Sequence, residues 1–184
     1  MNFKKAINII TKDEDYKAQD YHQAILNLGY NEWQNDKDWN YVDMLNYMKH
    51  TYGDLAMWAV LIGKANQQIC NGGFIQYFDN GYASEGKGGF SSRHSTTLEL
   101  HDIACNGIEE TDLIKTEVGK TVHEIFEEFY IERDEDEGYI LNDDELSNLD
   151  DRYYEVNEEW EKLLNHFFKV ELEKVILTKA SKSK

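Results

Sequence analysis

Apolar residues recur three and four positions apart along most of this chain, which is the period of an α-helix with one buried face. The clearest stripe begins after Asp54, a residue type that caps helices, and stops at the adjacent glycines Gly72 and Gly73. Its apolar members are Leu55, Trp58, Ala59, Ile62, Ala65 and Ile69. Strict alternation of apolar and polar residues, which would indicate a strand, is found nowhere in convincing form. The pattern therefore predicts an all-α fold.

Five further stretches show the helical period between capping and stop signals. They span residues 11–29, 38–53, 95–107, 111–129 and 150–180. The last stretch carries a heptad-like seam of Tyr153, Val156, Trp160, Leu163, Phe167 and Val170. The seam is too short for a free coiled coil and favours a core helix, although a homodimer through this helix stays open. We expect a helical bundle whose core includes Trp58, Phe126 and Trp160.

The two adjacent glycines separate the clearest stripe from a short aromatic segment. Such a pair ends one helix and lets the backbone turn sharply. The aromatic residues that follow have helical spacing, so a second short helix can pack them against the helix that has just ended. We assign a structural role to this corner motif, which consists of Asn71, Gly72, Gly73, Phe74, Gln76, Tyr77 and Phe78. Residues 81–94, rich in glycine and serine, and the acidic residues 132–145 both predict loops.

Composition limits the compartment and the partners. The 184 residues, of which 41% are hydrophobic, suffice for one core, and we predict a single domain over 1–184. Because no apolar run approaches the roughly 18 residues of a membrane span and no signal-peptide pattern is present, we expect a cytoplasmic protein. Cys70 and Cys105 fit reduced, buried thiols. A net charge of −17 argues against nucleic acids and membranes as partners and favours basic proteins.

Negative charge is concentrated late in the chain. Residues 132–161 contain fourteen acidic residues and two arginines, a local net charge of −12. On the last predicted helix the seam would leave Asp151, Glu155, Glu158 and Glu161 facing outward, about 5 to 6 Å apart along the axis. DNA also presents regularly spaced fixed charges to basic proteins. The predicted partner-binding residues are Asp134, Glu135, Asp136, Glu137, Asp143, Asp144, Asp151, Glu155, Glu158 and Glu161.

The corner motif and the segment LIGKANQQIC before it, at 61–70, resemble the hallmark of a bacterial DNA-mimic protein family of small acidic helical proteins. A second match, LDDRYY at 149–154, leads into the acidic helix, and the two matches bracket roughly residues 55 to 168. The resemblance implies a cytoplasmic, dimeric protein without known catalysis, whose characterised member occupies the DNA-binding surface of a transcription factor. The loop over 81–94 is longer here than in the family pattern.

Other kinds of site are incomplete. An EF-hand with Gly138 at its sixth loop position would place Arg133 at the first, where a carboxylate ligand is required. The glycines of 81–94 match neither a P-loop nor a dinucleotide fingerprint. His101 and Cys105 lie one helical turn apart but lack the further ligands of a zinc site. We therefore expect no catalytic residue, no metal site and no cofactor.

The main prediction is a non-enzymatic acidic protein that occupies the basic DNA-binding surface of a transcription factor or a similar protein. Two alternatives stay open. An immunity-type inhibitor of a basic toxin nuclease would use the same electrostatics with a different partner. An enzyme dependent on a small ligand or a metal would use the 81–105 region, through the glycine-rich loop or through His101 and Cys105.

Overall fold

The computed structural model describes residue 9 and residues 16–33, 41–80, 90–131, 133–134, 138–139 and 143–182. Within these residues there are six α-helices: α1 (Ala18–Trp33), α2 (Tyr41–Tyr52), α3 (Asp54–Asp79), α4 (Phe90–Glu109), α5 (Glu117–Ile131) and α6 (Asp143–Lys182). A short 3₁₀-helix, Asp112–Lys115, precedes α5. The predicted all-α bundle with a long C-terminal helix is confirmed. The predicted starts of the first two helices, at residues 11 and 38, lie outside the described residues.

The chain between α5 and α6 contains the only strand pairing in the described part of the molecule. β1 (Arg133–Asp134) pairs antiparallel with β2 (Gly138–Tyr139), and Asp134 lies opposite Gly138. Each strand has only two residues, so the pair is too small to have a hydrophobic face of its own. The pairing therefore leaves the fold class unchanged and only shortens the predicted acidic loop.

Two helices begin earlier than the sequence predicts. Helix α6 starts at Asp143, so the predicted loop over 132–145 is wrong for its last three residues. Leu146 and Leu149 are buried and extend the apolar stripe of α6 by two turns, although the surrounding acids conceal it. Helix α4 starts at Phe90, inside the predicted loop over 81–94. Its first ten residues include few apolar ones, so the helical period gives little signal there.

Two glycines predicted to end helices lie inside them instead. Helix α1 continues past Gly29, where an added Cβ would lie 1.9 Å from the Met48 sulfur on α2. Helix α4 continues past Gly107, where an added Cβ would lie 2.8 Å from the Trp58 side chain on α3. The small residue at each position lets two helices approach closely. Glycine therefore marks helix contacts here rather than helix ends.

The predicted start of a helix at Thr111 is also wrong. Thr111 precedes the 3₁₀-helix, and α5 begins after Thr116, whose backbone is extended. The Thr116 hydroxyl oxygen accepts a hydrogen bond from the Gly119 backbone N–H at 2.9 Å. This bond satisfies one of the donors that the first turn of a helix leaves open, so Thr116 is the N-cap of α5.

Helix α3 lies at the centre of the bundle and packs against α1, α2, α4 and α6. Phe74, beyond its break, contacts Phe126 of α5 and Tyr153 of α6 with ring centroids 5.8 and 5.9 Å apart. Trp160 is fully buried, whereas Trp58 is only partly buried at the edge of the core. The core therefore forms around the corner motif, Phe126 and Trp160. None of the described helices combines the length and the apolar character that crossing a membrane requires.

Candidate functional site

Three of the four carboxylates of the predicted row lie on the side of α6 opposite its buried residues. Asp144, Asp151, Glu155 and Glu158 are exposed, whereas Trp160 on the other side is fully buried. We term these four acids the acidic row. Spacings of four and three residues place the last three carboxylates about 4.5 to 6 Å apart along the axis, and Asp144 lies two turns before them. A packed helix therefore presents a linear series of negative charges to solvent.

Two cations near the row offset part of its negative charge. Glu159 of α6 and Glu128 of α5 are exposed beside it. Arg152 Nη1 donates to Glu128 at 2.5 Å, and Lys162 Nζ donates to Glu158 at 2.8 Å. Exposed ion pairs of this kind contribute little free energy because water screens them. The hydrogen bond and charge of Lys162 hold the pKa of Glu158 below its ordinary value, so this carboxylate stays ionised at neutral pH.

Glu161 does not face outward with the row, and that part of the prediction is wrong. Its side chain is half-buried, and its Oε1 accepts a hydrogen bond from Asn66 Nδ2 of α3 at 2.5 Å. Three residues along a helix correspond to a rotation of about 300°, which turns Glu161 from the direction of Glu158 toward α3. The predicted contact residues at 135–137 lie outside the described residues. Asp134 and Asp143 are placed only by their backbones, in β1 and at the start of α6.

The glycine corner is confirmed as a break inside α3. Gly72 has φ −173° and Gly73 has φ 74° and ψ −175°, and helical geometry resumes beyond them. The backbone N–H of Phe74 donates to Asp150 Oδ1 at 2.8 Å, so a carboxylate from α6 caps the second arm of α3. Burial of the Asp150 carboxyl raises its pKa, and the nearby charge of Asp151 acts in the same direction.

Two tyrosines connect the second matching stretch to the first. Tyr153 donates its hydroxyl proton to Asn66 Oδ1 at 2.6 Å, and Tyr154 donates to the Ile69 carbonyl oxygen at 2.8 Å. The stretches 61–78 and 149–154, which carry the resemblance, are therefore in direct contact. Within the corner motif Phe74 and Tyr77 are buried.

The polar members of the corner motif lie nearer the surface. Gln76 is half-buried and donates to Gln68 Oε1 at 3.3 Å, whereas Asn71 is exposed. The side chain of Phe78 lies outside the described residues. The motif thus joins the two arms of α3 to each other and to α6, which fits the structural role that we predict for it.

A cavity of about 110 Å³ lies between α1, α3 and α6, on the side of α6 to which Glu161 turns. Its polar lining consists of Gln19, Asn66, Gln67, Cys70, Asn71 and Glu161, and Phe168 and His22 form an aromatic side. The exposed residues Gln19, Cys70 and Asn71 mark the open side of the cavity. The cavity combines a carboxylate, several amides and a ring within one small space.

His22 is a neutral member of the cavity lining. Its Nε2 lies 3.0 Å from the Val60 carbonyl oxygen, which can only accept, so Nε2 carries the proton and Nδ1 keeps its lone pair. Burial lowers the pKa of His22 to about 4, and the nearby positive charge of Lys64 also acts to lower it. The imidazole is therefore uncharged at neutral pH.

The depressed pKa of His22 predicts an acid-sensitive fold. In the unfolded chain His22 binds a proton at its ordinary pKa of 6.5, whereas in the folded chain it does so only near pH 4. The free energy of unfolding is therefore highest above about pH 6.5 and falls as the pH is lowered toward 4. Relative to a His22→Leu variant, we expect the wild type to lose about 2 kcal/mol more unfolding free energy between pH 7 and pH 5. Urea denaturation at both pH values measures the difference. Equal pH dependence in the two proteins would contradict it.

Cys70 is exposed and Cys105 is buried, so the expectation of two buried thiols is wrong for Cys70. The Cys70 thiol donates to Asn157 Oδ1 at 3.4 Å, on the face where α3 meets α6. Partial burial of the sulfur, followed by the charge of Glu161, raises the pKa of Cys70 to about 11. A thiol with so little thiolate at neutral pH is a poor nucleophile, which argues against covalent chemistry at this position.

Cys70 should therefore alkylate slowly despite its exposure. At pH 8 we expect iodoacetamide to modify it about tenfold more slowly than an unhindered cysteine, since the small thiolate fraction outweighs the higher nucleophilicity of each thiolate. A Glu161→Gln variant should react faster because the nearby negative charge is gone. Peptide mass spectrometry resolves Cys70 from Cys105. A wild-type rate equal to that of a free thiol would contradict the raised pKa.

His101 and Cys105, the pair considered for an enzyme, lie in the core. His101 is fully buried, with Nε2 3.0 Å from the Phe126 carbonyl oxygen and Nδ1 3.2 Å from the Tyr77 hydroxyl. Both ring nitrogens therefore have protein partners, which leaves none directed at a ligand. Across the described parts of the chain, no three histidine, cysteine or acidic side chains are grouped so as to hold a metal ion. The glycine-rich segment 81–89 lies outside the described residues.

No family model, curated protein or solved structure matches this chain. The resemblance to the DNA-mimic family therefore rests on the two stretches in contact at the corner of α3.

The sequence did not indicate the cavity or the role of Asn66. The sequence contains one indication of that role: Asn66 is a polar residue inside the apolar stripe of α3, between Ile62 and Ile69. A polar residue on a buried face usually has a partner there. Its partners, Tyr153 and Glu161, come from a helix about ninety residues later in the chain.

Proposed function

We propose that this protein is a non-enzymatic acidic binding protein that covers the basic DNA-binding surface of a transcription factor or a similar protein. The observation that carries the proposal is the acidic row, whose last three members stand about one turn apart on a helix packed along its length. A row on a rigid helix loses little conformational entropy when it binds. The resemblance to DNA mimics supports the same partner class.

The electrostatics favour a partner that normally binds DNA. A basic protein surface gains much of its DNA affinity by neutralising phosphates, which follow one another about every 3.4 Å along the helix axis in each strand. The charges of the row are less dense, and the exposed Glu159 beside it adds to the field. The total charge of −17 repels nucleic acids and anionic membranes, so neither is part of the proposal. We place the protein in the cytoplasm, where such a partner would be found.

The partner class can be tested by affinity capture from a bacterial lysate at low salt. We expect the immobilised protein to retain one basic DNA-binding protein or nuclease and to release it at high salt, because screening weakens contacts between exposed charges. Mass spectrometry of the eluate then distinguishes a regulator from a toxin nuclease. A column carrying a variant with amides in the acidic row is the matched control. Equal retention on both columns, or no specific protein on either, would overturn the proposal.

A further inference from the structure

The cavity between α1, α3 and α6 offers a fixed carboxylate oxygen to a ligand. Asn66 Nδ2 holds Glu161 through Oε1, and among the described residues no group donates to Glu161 Oε2. Asn66 is itself held by the Tyr153 hydroxyl at 2.6 Å, so the carboxylate is supported by a chain of hydrogen bonds. A carboxylate positioned in this way is preorganised to accept from a donor that enters the cavity.

The rest of the lining favours a cation over an anion. Among the described residues that line the cavity, Glu161 is the only one with a formal charge, and His22 is neutral. Lys64, whose charge acts on His22, is not part of the lining and donates to Gln67 Oε1 at 3.3 Å. An anion would therefore meet a carboxylate without a compensating base. A cation with several N–H groups would instead find oxygen acceptors on Glu161 and on the amide side chains.

The size and shape of the cavity limit which cation fits. An engineered cavity of about 150 Å³ accepts benzene, so 110 Å³ suits a planar group of about four heavy atoms. Phe168 supplies a ring on one side of the cavity. A guanidinium is planar, donates in a fork to carboxylates and stacks on aromatic faces, whereas an ammonium is a compact point charge without a planar face or a fixed fork of donors.

We propose that this cavity receives the guanidinium group of an arginine on the basic partner, while the same partner lies along the acidic row. Glu161 follows Glu158 by one helical turn, so their Cβ atoms are about 5 to 6 Å apart and one partner can reach both. The inference rests on the proposed function and deepens it. The row supplies non-specific attraction for positive charge, and the cavity selects arginine over lysine.

Two peptides of equal length, one of arginines and one of lysines, test the proposal with the full-length protein at constant ionic strength. Fluorescence anisotropy gives both affinities. We expect the wild type to prefer the arginine peptide by about tenfold, the value of a charge-assisted hydrogen bond. Glu161→Gln should remove the preference. Glu159→Gln, which removes one exposed charge outside the cavity, should weaken the binding of both peptides equally and keep the preference for arginine.

A second variant tests the cavity without changing Glu161, in case Glu161→Gln impairs folding. Gln19→Trp places a large side chain at the exposed mouth of the cavity and leaves Glu161 intact, and it should abolish the preference as well. Tetramethylammonium, a cation without N–H donors, should not compete with the arginine peptide, whereas methylguanidinium should. Thermal melts check that each variant is folded.

The outcomes separate the two proposals. Equal affinity for the two peptides in the wild type, or a preference that survives Glu161→Gln, overturns the arginine site and leaves the acidic row untouched. If neither peptide binds at low salt, the proposed function fails together with the inference. If amides in the acidic row weaken the binding of both peptides equally while the preference for arginine persists, both proposals are supported.

Discussion

Replacing Gly73 by alanine is expected to destabilise the protein by about 4 kcal/mol. Gly73 has φ 74° and ψ −175°, a region of backbone conformation that only glycine occupies readily. An added Cβ would also lie 2.2 Å from Asp150 Oδ2. Asp150 would have to move, and its hydrogen bond from the Phe74 N–H would be lost with it. Strain, steric overlap and a lost cap therefore act at one position.

Gly72→Ala is the matched control for this experiment. The φ angle of Gly72, −173°, is extended and open to any residue. An added Cβ there would lie 2.1 Å from Oε1 at the end of the half-buried Gln76 side chain, which can rotate away, and 3.0 Å from Gln76 Cβ, a contact that a small shift relieves. We expect a cost below about 1 kcal/mol. Urea unfolding of both variants measures the difference, and equal losses at the two positions would show that the corner does not depend on the conformation of Gly73.

The sequence predicts most of the helices because their stability comes from apolar stripes that the sequence displays. The stripe of α3 and the break at the two glycines are confirmed. The errors have a common cause, because packing between helices overrides the signal of a single residue. Gly29 and Gly107 are of the residue type that ends helices, but in this fold they are contact points between helices. Leu146 and Leu149 stand among acids, which conceal the apolar stripe there, and α6 therefore starts about two turns before the predicted residue 150.

The site was predicted only in part, for a geometric reason. A strict heptad seam on α6 implies 3.5 residues per turn, and it places Glu161 on the outer side. The buried residues Trp160, Leu164, Phe168 and Leu172 instead follow one another at intervals of four. This spacing rotates the buried face toward α3 and takes Glu161 with it. Asp151, Glu155 and Glu158 are far enough from that edge to stay exposed.

The cavity depends on contacts that no local pattern encodes. Asn66 and Glu161 are 95 positions apart in sequence, and His22 is 38 positions from Val60, whose carbonyl it contacts. Three helices must pack before these groups share one space. Local periodicity shows which face of each helix is buried, but it does not show how the helices are rotated against one another or how closely they pack. Polar residues within apolar stripes, such as Asn66, are the signal that could locate such a site.

Replacing Asp151, Glu155 and Glu158 together by their amides is expected to weaken binding to the basic partner at least thirtyfold, as a rough estimate for three exposed charge pairs. All three are exposed, so the helix loses no buried contact. The affinity should also become less dependent on salt, because fewer ion pairs remain to be screened. Calorimetric titration with the captured partner at several salt concentrations measures both effects, and far-UV circular dichroism checks the helices.

Amides at Glu109, Glu110 and Glu117 provide a control with the same change in net charge. These acids are exposed on either side of the 3₁₀-helix, and Asp112 of that helix is close enough to Lys174 of α6 to feel its charge. Lys174 lies 16 residues after Glu158 in sequence, a distance of about 24 Å along the helix. If the partner recognises the acidic row, this control should bind almost as tightly as the wild type. If both triple variants lose affinity equally, the partner responds to net charge alone, and the row has no specific part in recognition.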